Sequence, residues 1–309
     1  MNDQTATTTP TQSATPVAAL MAMRPQQWIK NVLLFAPLVL AHKVTDQSKL
    51  MAALYAFVAF SLCASCMYVL NDLFDLKTDR DHPKKCRRPL ASGALSRGTA
   101  IFLVVMLAVG GTSIASGLLP HRFLMALGVY LVVTTLYSAW LKKQIIADVL
   151  TLAGLYTLRI VAGGLATEVE VSEWLMAFSI FIFTSLAFVK RYSEFARMSA
   201  EGESESTLRR GYRTGDLGLI EVMGLTTGMI AVLVFALYIN SDRVTTLYDN
   251  LFPLWMICPL LMYWIGRVWI LARRREIHED PLVFAMTDLT SWVVAILAGA
   301  LLLFATLNS

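Results

Sequence analysis

Nine stretches of this sequence are long and apolar enough to cross a lipid bilayer, and a chain with that pattern has few folds open to it. They lie near 27–42, 50–71, 98–118, 121–141, 146–166, 173–193, 217–240, 251–272 and 285–307. A spanning helix needs about 20 mainly apolar residues, and in hydrocarbon a lone segment must satisfy its backbone groups within its own helix. The pattern predicts an all-α polytopic membrane protein with nine transmembrane helices. The first stretch is short and holds Pro37, so a kink or tilt is expected there; the fifth holds Arg159 and the Gly163–Gly164 pair. Composition agrees. Hydrophobic residues make up 56% and charged residues 16%, against about 45–50% and about 25% in soluble domains. Disordered, collagenous and disulfide-framework chains are excluded, and a net charge of only +4 gives no ground for a nucleic-acid partner.

Residues 1–23 are rich in Thr, Gln, Ala and Pro, with Asp3 as their one charge. They lack the basic start and apolar core of a secretory signal. A disordered cytoplasmic tail is expected over 1–23, followed by one membrane domain over 24–309.

The cations choose an orientation. Positive residues collect in cytoplasmic loops. With nine spans, 21 of the 26 Lys and Arg residues fall on one side and four (Lys43, Lys49, Arg122 and Arg243) on the other, with Arg159 inside a span. The N-terminus and the cation-rich loops are therefore expected in the cytoplasm and the C-terminus outside. Cys63 and Cys66 form a C-x-x-C within an apolar helix and read as small buried hydrophobes. Cys86 falls in a cytoplasmic loop, where thiols stay reduced. Neither a disulfide nor zinc is expected.

The second loop carries the strongest chemical signal: Asn71-Asp72-Leu73-Phe74-Asp75-Leu76-Lys77-Thr78-Asp79. On one continuous helix Asp72, Asp75 and Asp79 fall within about 60° of each other, with Asn71 at the edge. Such a stripe repels itself unless a cation sits between the carboxylates. Magnesium suits it, being a hard ion held by one or two carboxylates together with substrate phosphates. A solvated acidic helix end is the plainer reading. Lys84, Lys85, Arg87 and Arg88 follow directly. They fit positive-inside topology, and beside a metal stripe Lys85 and Arg88 also suit the remaining oxygens of a diphosphate, Arg through its planar fork of donors.

The N-D-x-x-D-x-x-x-D pattern, in a chain of nine apolar spans, resembles the UbiA superfamily of intramembrane prenyltransferases. The longer string from Asn71 to Gly93 is more specifically similar to the decaprenyl-phosphate phosphoribosyltransferase branch. So are Arg24-Pro25-Gln26-Gln27-Trp28-Ile29-Lys30-Asn31, the stretch from Asp148 to Gly164, and Lys190-Arg191-Tyr192-Ser193-Glu194. The resemblance runs from about residue 23 to the C-terminus. It implies a UbiA-type bundle with a central cavity open to the cytoplasmic side of a bacterial cytoplasmic membrane. Mg2+ would be held by Asn71, Asp72, Asp75 and Asp79, which also form the catalytic set. Lys30 would be a phosphate ligand.

Charges within spans are costly and usually functional. Tyr137 and Lys142 close the fourth helix. Asp148 and Arg159 lie about three turns apart on one face of the fifth; Arg159 reads as part of an internal salt bridge without substrate contact or, preferred here, as an anion ligand. The Gly163–Gly164 pair would let helices pack closely there. Lys190 and Glu194 are i,i+4 neighbours beside Arg191 at the end of the sixth helix, either a surface ion pair or part of the substrate site. Aromatic-acceptor members of the superfamily carry a second aspartate-rich motif here; this chain has one carboxylate and two cations instead. Extra cations suit a substrate with additional phosphate. Arg209, Arg210 and Tyr212 read as solvated loop, Arg273–Arg275 as topology, and His278-Glu279-Asp280 as loop.

The expected reaction moves a 5-phosphoribosyl group from phosphoribosyl pyrophosphate to a polyprenyl phosphate lipid, releasing diphosphate. A second reading keeps the fold and transfers a prenyl group from its diphosphate to an aromatic or other small acceptor. A third is a membrane transporter, against which stands the lack of paired repeats and discontinuous helices. A homo-oligomer is compatible with the sequence.

Overall fold

The computed structural model describes residues 15–82, 85–200, 211–246, 248–277 and 280–307, and every regular element among them is helical. Apart from short 3-10 turns at Lys85–Arg87, Leu141–Lys143 and Thr214–Asp216, these are in order α1 (Thr15–Met23), a 3-10 segment (Pro25–Phe35), α2 (Ala36–Leu40), α3 (Gln47–Phe74) and α4 (Leu76–Arg80). Then come α5 (Arg97–Leu118), α6 (His121–Ala139), α7 (Ala147–Thr167), α8 (Glu173–Ala200) and α9 (Leu217–Ile239). The chain closes with α10 (Asp242–Thr245), α11 (Phe252–Arg273), α12 (Pro281–Thr287) and α13 (Leu289–Leu307).

Eight of these, α3, α5, α6, α7, α8, α9, α11 and α13, are long and apolar enough to cross a membrane. The protein is an integral membrane protein. Its outer helices turn large apolar side chains outward: Phe102 on α5 is 65% exposed and Ile296 on α13 64%, surfaces that suit lipid and not water.

The expected ninth span, near 27–42, differs. It is an eleven-residue 3-10 segment followed by the five-residue α2. Pro37 lies in the first turn of α2, where its missing N–H interrupts the bonding back into the preceding segment and a new helix starts. The 3-10 rise of about 2.0 Å per residue stretches Pro25–Leu40 to about 30 Å. The disordered reading of residues 1–23 also needs correction over its last part. Thr15–Met23 is helical, and Ala18 and Ala22 are buried in a cluster with Cys66 and Val69 of α3. Residues 1–14 lie outside the described residues.

Helix α7 is the hub. It packs on α3, α6, α8 and the 3-10 segment, and most of its side chains are buried, Asp148 and Arg159 included. Glycine makes the closest approach possible: a Cβ on Gly163 would stand 2.0 Å from the Leu34 carbonyl oxygen. The 3-10 segment therefore lies directly on α7. Trp28 donates to Ser65 Oγ at 2.9 Å and Ser65 donates to the Met23 carbonyl at 2.8 Å, which ties the same segment to α3.

Candidate active site

A cavity of about 810 Å3 opens at one end of the bundle. Its walls come from the last turns of α3, α6 and α8, the first half of α7, the start of the 3-10 segment and the α11–α12 connection. That is the end carrying the cation-rich loops.

The 3-10 geometry shapes one wall. Residues three apart eclipse each other in a 3-10 helix, whereas they drift by about 60° in an α-helix. Gln27 and Lys30 thus line up toward the cavity, with Arg24 one step ahead of them. Arg24 starts the row in the left-handed region, at φ 52°.

Lys30 ends on Asp280. Its ammonium donates to Asp280 Oδ2 at 2.8 Å, and the Lys190 ammonium donates to the same oxygen at 2.8 Å. The Tyr156 hydroxyl reaches Oδ1 at 2.9 Å, and the Leu282 backbone N–H caps α12 on Oδ1 at 3.2 Å. Burial alone would raise the Asp280 carboxyl, but the Lys190 and Lys30 ammonium groups outweigh it and hold it well below the usual carboxylate range. The residue read as loop is the carboxylate that gathers two site lysines.

Arg159 lies deeper. Its Nε donates to Asn31 Oδ1 at 3.0 Å and its Nη1 to the Leu155 carbonyl at 2.6 Å. The Phe60, Tyr130 and Tyr156 rings surround its guanidinium at 5.4, 5.0 and 5.5 Å. Asn31 is itself held by its amide donating to Ser61 Oγ at 2.9 Å. The guanidinium is held by neutral groups at the cavity wall, where its fork of donors suits an anion.

The internal salt bridge weighed for Arg159 does not form among the described residues; the buried pair here is Asp148 with Arg191. Arg191 is fully buried and donates to Asp148 through Nε, to Glu194 Oε2 at 2.6 Å and to the Tyr137 hydroxyl at 2.8 Å. The Tyr212 hydroxyl donates to Asp148 Oδ1 at 2.8 Å and accepts from the Ile146 N–H at 2.7 Å. This network braces α6, α7, α8 and the following loop. Tyr212, read as solvated, is buried; Arg209 and Arg210 lie outside the described residues, as do His278 and Glu279.

The acidic stripe stands beside the cavity. Helix α3 ends at Phe74, Asp75 caps it, and α4 carries Asp79. The backbone bonds from Asp75 to Asn71 and from Asp79 to Asp75, at 2.9 and 2.8 Å, keep the three acids nearly in helical register across the break. Asp72 and Asp79 are buried while Asp75 is exposed. Arg88 bridges the two buried acids, at 3.0 Å to Asp72 and 2.6 Å to Asp79, and Arg24 pairs with Asp72 at 2.7 Å. Asn71 lines the cavity and donates to Ser138 Oγ of α6 at 3.1 Å.

Among the described residues no three His, Cys, Asp or Glu side chains converge as a metal cluster. The chemistry of the stripe still fits a hard cation: carboxylate and amide oxygens are the ligands Mg2+ takes. The space between Asp72 and Asp79 also requires positive charge, which the Arg88 guanidinium supplies here.

The structure thus places Lys30, Asn71, Tyr137, Arg159, Lys190 and Glu194 on one cavity. Asp72, Asp79 and Arg88 form an ion-paired shelf at its edge. Lys85 is exposed, and Lys142 is half-buried on the short turn Leu141–Lys143 off the cavity wall. Sequence reasoning missed Arg24, Gln27, Arg197 and Asp280 as site residues, and it read Arg275 as topology although that residue lines the cavity. The i,i+3 spacing of Arg24, Gln27 and Lys30 was the available signal for Gln27; Asp280 left none, because its partners are 250 and 90 residues away.

Residues 32–292 match the UbiA prenyltransferase family. Among curated relatives, y4nM of Sinorhizobium fredii, an uncharacterized protein, is 39% identical over 91% of this chain and 54% of its own length, so the chain spans about half of it. The nodulation protein NoeC of Azorhizobium caulinodans is 34% identical over 91% of this chain and 90% of its own. The decaprenyl-phosphate phosphoribosyltransferase of Mycobacterium tuberculosis is 39% identical over 56% of this chain and 58% of its own. A UbiA homologue from Archaeoglobus fulgidus, solved bound to GPP and Mg2+, superposes with a TM-score of 0.64 at 17% identity, over 94% of this chain and 99% of that one. With the fold and more than half of the chain in agreement, this protein belongs to the UbiA prenyltransferase family.

Proposed function

We propose that this enzyme transfers the 5-phosphoribosyl group of phosphoribosyl pyrophosphate to a polyprenyl phosphate, releasing diphosphate, in a Mg2+-dependent reaction on the cytoplasmic side of a bacterial membrane. One observation carries the reading. The cavity is lined by six cationic side chains (Arg24, Lys30, Arg159, Lys190, Arg197 and Arg275) against two carboxylates, Glu194 and Asp280. A donor with a diphosphate and a separate phosphate, meeting an acceptor that is itself a phosphate, calls for that surplus. A prenyl diphosphate meeting a neutral acceptor does not. The relatives named decaprenyl-phosphate phosphoribosyltransferase support the same substrates.

Asn71, Asp72, Asp75 and Asp79 would hold Mg2+, and the bound ion would neutralise charge on the departing diphosphate. Arg24 and Arg88 sit on the same acids and exchange carboxylate oxygens for phosphate oxygens as the donor arrives. The C1–oxygen bond to diphosphate breaks with its electron pair leaving on diphosphate. A bond then forms from C1 to an acceptor phosphate oxygen. That oxygen is already anionic, so Lys30, Lys190 and Arg159 need only position it.

The test is a donor-by-acceptor matrix on purified protein, with and without Mg2+. Lipid-linked phosphoribose and diphosphate are expected only with Mg2+. Prenylation of an aromatic acceptor from a prenyl diphosphate, with no phosphoribosyl product, overturns the reading in favour of prenyl transfer. Solute uptake in proteoliposomes without turnover overturns it in favour of a transporter.

A further inference from the structure

Helix α11 ends in a Schellman motif: the Glu276 N–H bonds to the Leu271 carbonyl and the Arg275 N–H to the Ala272 carbonyl, both at 3.0 Å. The residue that must enter the left-handed region in this motif is usually glycine. Here it is Arg275, at φ 63°. A cation near a helix C-terminus suits the dipole, but Arg273 and Arg274 already supply that without the unfavourable backbone. What distinguishes Arg275 is its position: it lines the cavity.

Arg197 lines the same cavity from α8. Lys190, Ser193, Glu194 and Arg197 share one face of that helix, with Lys190 half-buried at the inner end and Arg197 exposed at the outer. The other cations of the cavity wall have partners: Arg24 has Asp72, Lys30 and Lys190 share Asp280, and Arg159 has Asn31 and Leu155. Among the described residues no ion pair falls on Arg197 or Arg275. Two arginines, one held in a conformation that disfavours any side chain, face one cavity, and no described residue forms an ion pair with either.

We infer that Arg275 and Arg197 form a rim subsite for a phosphate monoester, and that its occupant is the 5-phosphate of the sugar donor. This assignment of the occupant rests on the donor proposed above. Neither arginine belongs to the ion pairs of the acidic shelf, which takes the diphosphate end. Both arginines are exposed to solvent, which suits the end of a water-soluble donor and not a lipid phosphate whose tail must lie among apolar side chains. Arginine offers a planar fork of donors that matches phosphate oxygens.

The experiment uses the full chain in detergent or nanodiscs, with the variants Arg275→Gly and Arg197→Gln. Glycine is the favoured residue at the Schellman position, so Arg275→Gly is expected to unfold at or above the wild-type temperature. Ribose 5-phosphate binding, measured calorimetrically, is expected to weaken about ten-fold or more in each variant, as the loss of a charge-assisted hydrogen bond requires. In turnover the KM for phosphoribosyl pyrophosphate rises by a similar factor, while the KM for a short-chain polyprenyl phosphate and kcat stay near wild type. Unchanged ribose 5-phosphate affinity in both variants overturns the subsite. A rise in the acceptor KM alone also overturns it, by placing the lipid phosphate there. Ribose 5-phosphate binding that depends on Arg275 in a protein that does not turn over phosphoribosyl pyrophosphate keeps the phosphate subsite and overturns the proposed reaction instead.

Discussion

Lys30 and Lys190, on separate elements, donate to the same oxygen of Asp280 at 2.8 Å each. Two ammonium groups held that close repel each other unless an anion lies between them. In this structure the anion is the Asp280 carboxylate. On the reaction proposed above, Asp280 would set the spacing of the two lysines for a substrate phosphate.

Replacing Asp280 by Asn removes the countercharge and keeps the shape. The variant is expected to be less thermostable at neutral pH. The sign of its pH dependence follows from the depressed carboxyl. The stabilisation from Asp280 is fully present above the unfolded-state carboxylate value of about 3.9 and is lost as pH falls toward the lower folded value. The gap in Tm between wild type and Asp280→Asn should narrow as pH falls below about 4. A gap that widens on acidification contradicts the ion triad.

Arg191→Met tests scaffold against ligand. Arg191 and Asp148 are both fully buried, and breaking a buried pair by removing one partner costs about 3–5 kcal/mol. The double variant Arg191→Met, Asp148→Asn should recover part of that loss. Denaturation midpoints measure it. A stable single variant with a raised substrate KM would instead make Arg191 a substrate ligand, the role its motif implies.

Asp72→Asn and Asp75→Asn should each abolish Mg2+-dependent turnover while the protein still inserts and folds. Arg88→Met leaves the buried Asp72 and Asp79 without their bridge. It should weaken the protein in the absence of Mg2+ and show partial thermal rescue when Mg2+ is added. Thermal shift against Mg2+ concentration reads both, and retained activity in both Asn variants would mean that the metal is held elsewhere.

Gly163→Ala puts a Cβ 2.0 Å from the Leu34 carbonyl. Backbone cannot yield there without lifting the 3-10 segment off α7, at a cost of about 1–3 kcal/mol. Lys30 lies one turn away on that segment, so the KM for anionic substrate should rise together with the loss in Tm. Gly154→Ala on the same helix, where nothing stands within 4 Å of an added Cβ, is the control and should change neither.

The membrane class, eight of the spans and the acidic stripe followed by its cations are local properties. Hydropathy and 3.6-residue spacing act over one helix, so the sequence alone determined them, together with Lys30 and Arg159 as charges within apolar stretches. Which charge meets which is a matter of contacts across dozens to hundreds of residues, and only the tertiary structure decided it. Arg159 and Asp148 share a helix face, yet each is satisfied by other elements, because a buried ion pairs with whatever the packing brings within reach. The first apolar stretch reads as one kinked span, and its 3-10 geometry comes from close packing of Leu34 on Gly163 and the break at Pro37. That geometry turns Arg24, Gln27 and Lys30 into a row on the cavity wall, and Asp280, unremarkable in its own loop, becomes the residue on which two of the site's lysines meet.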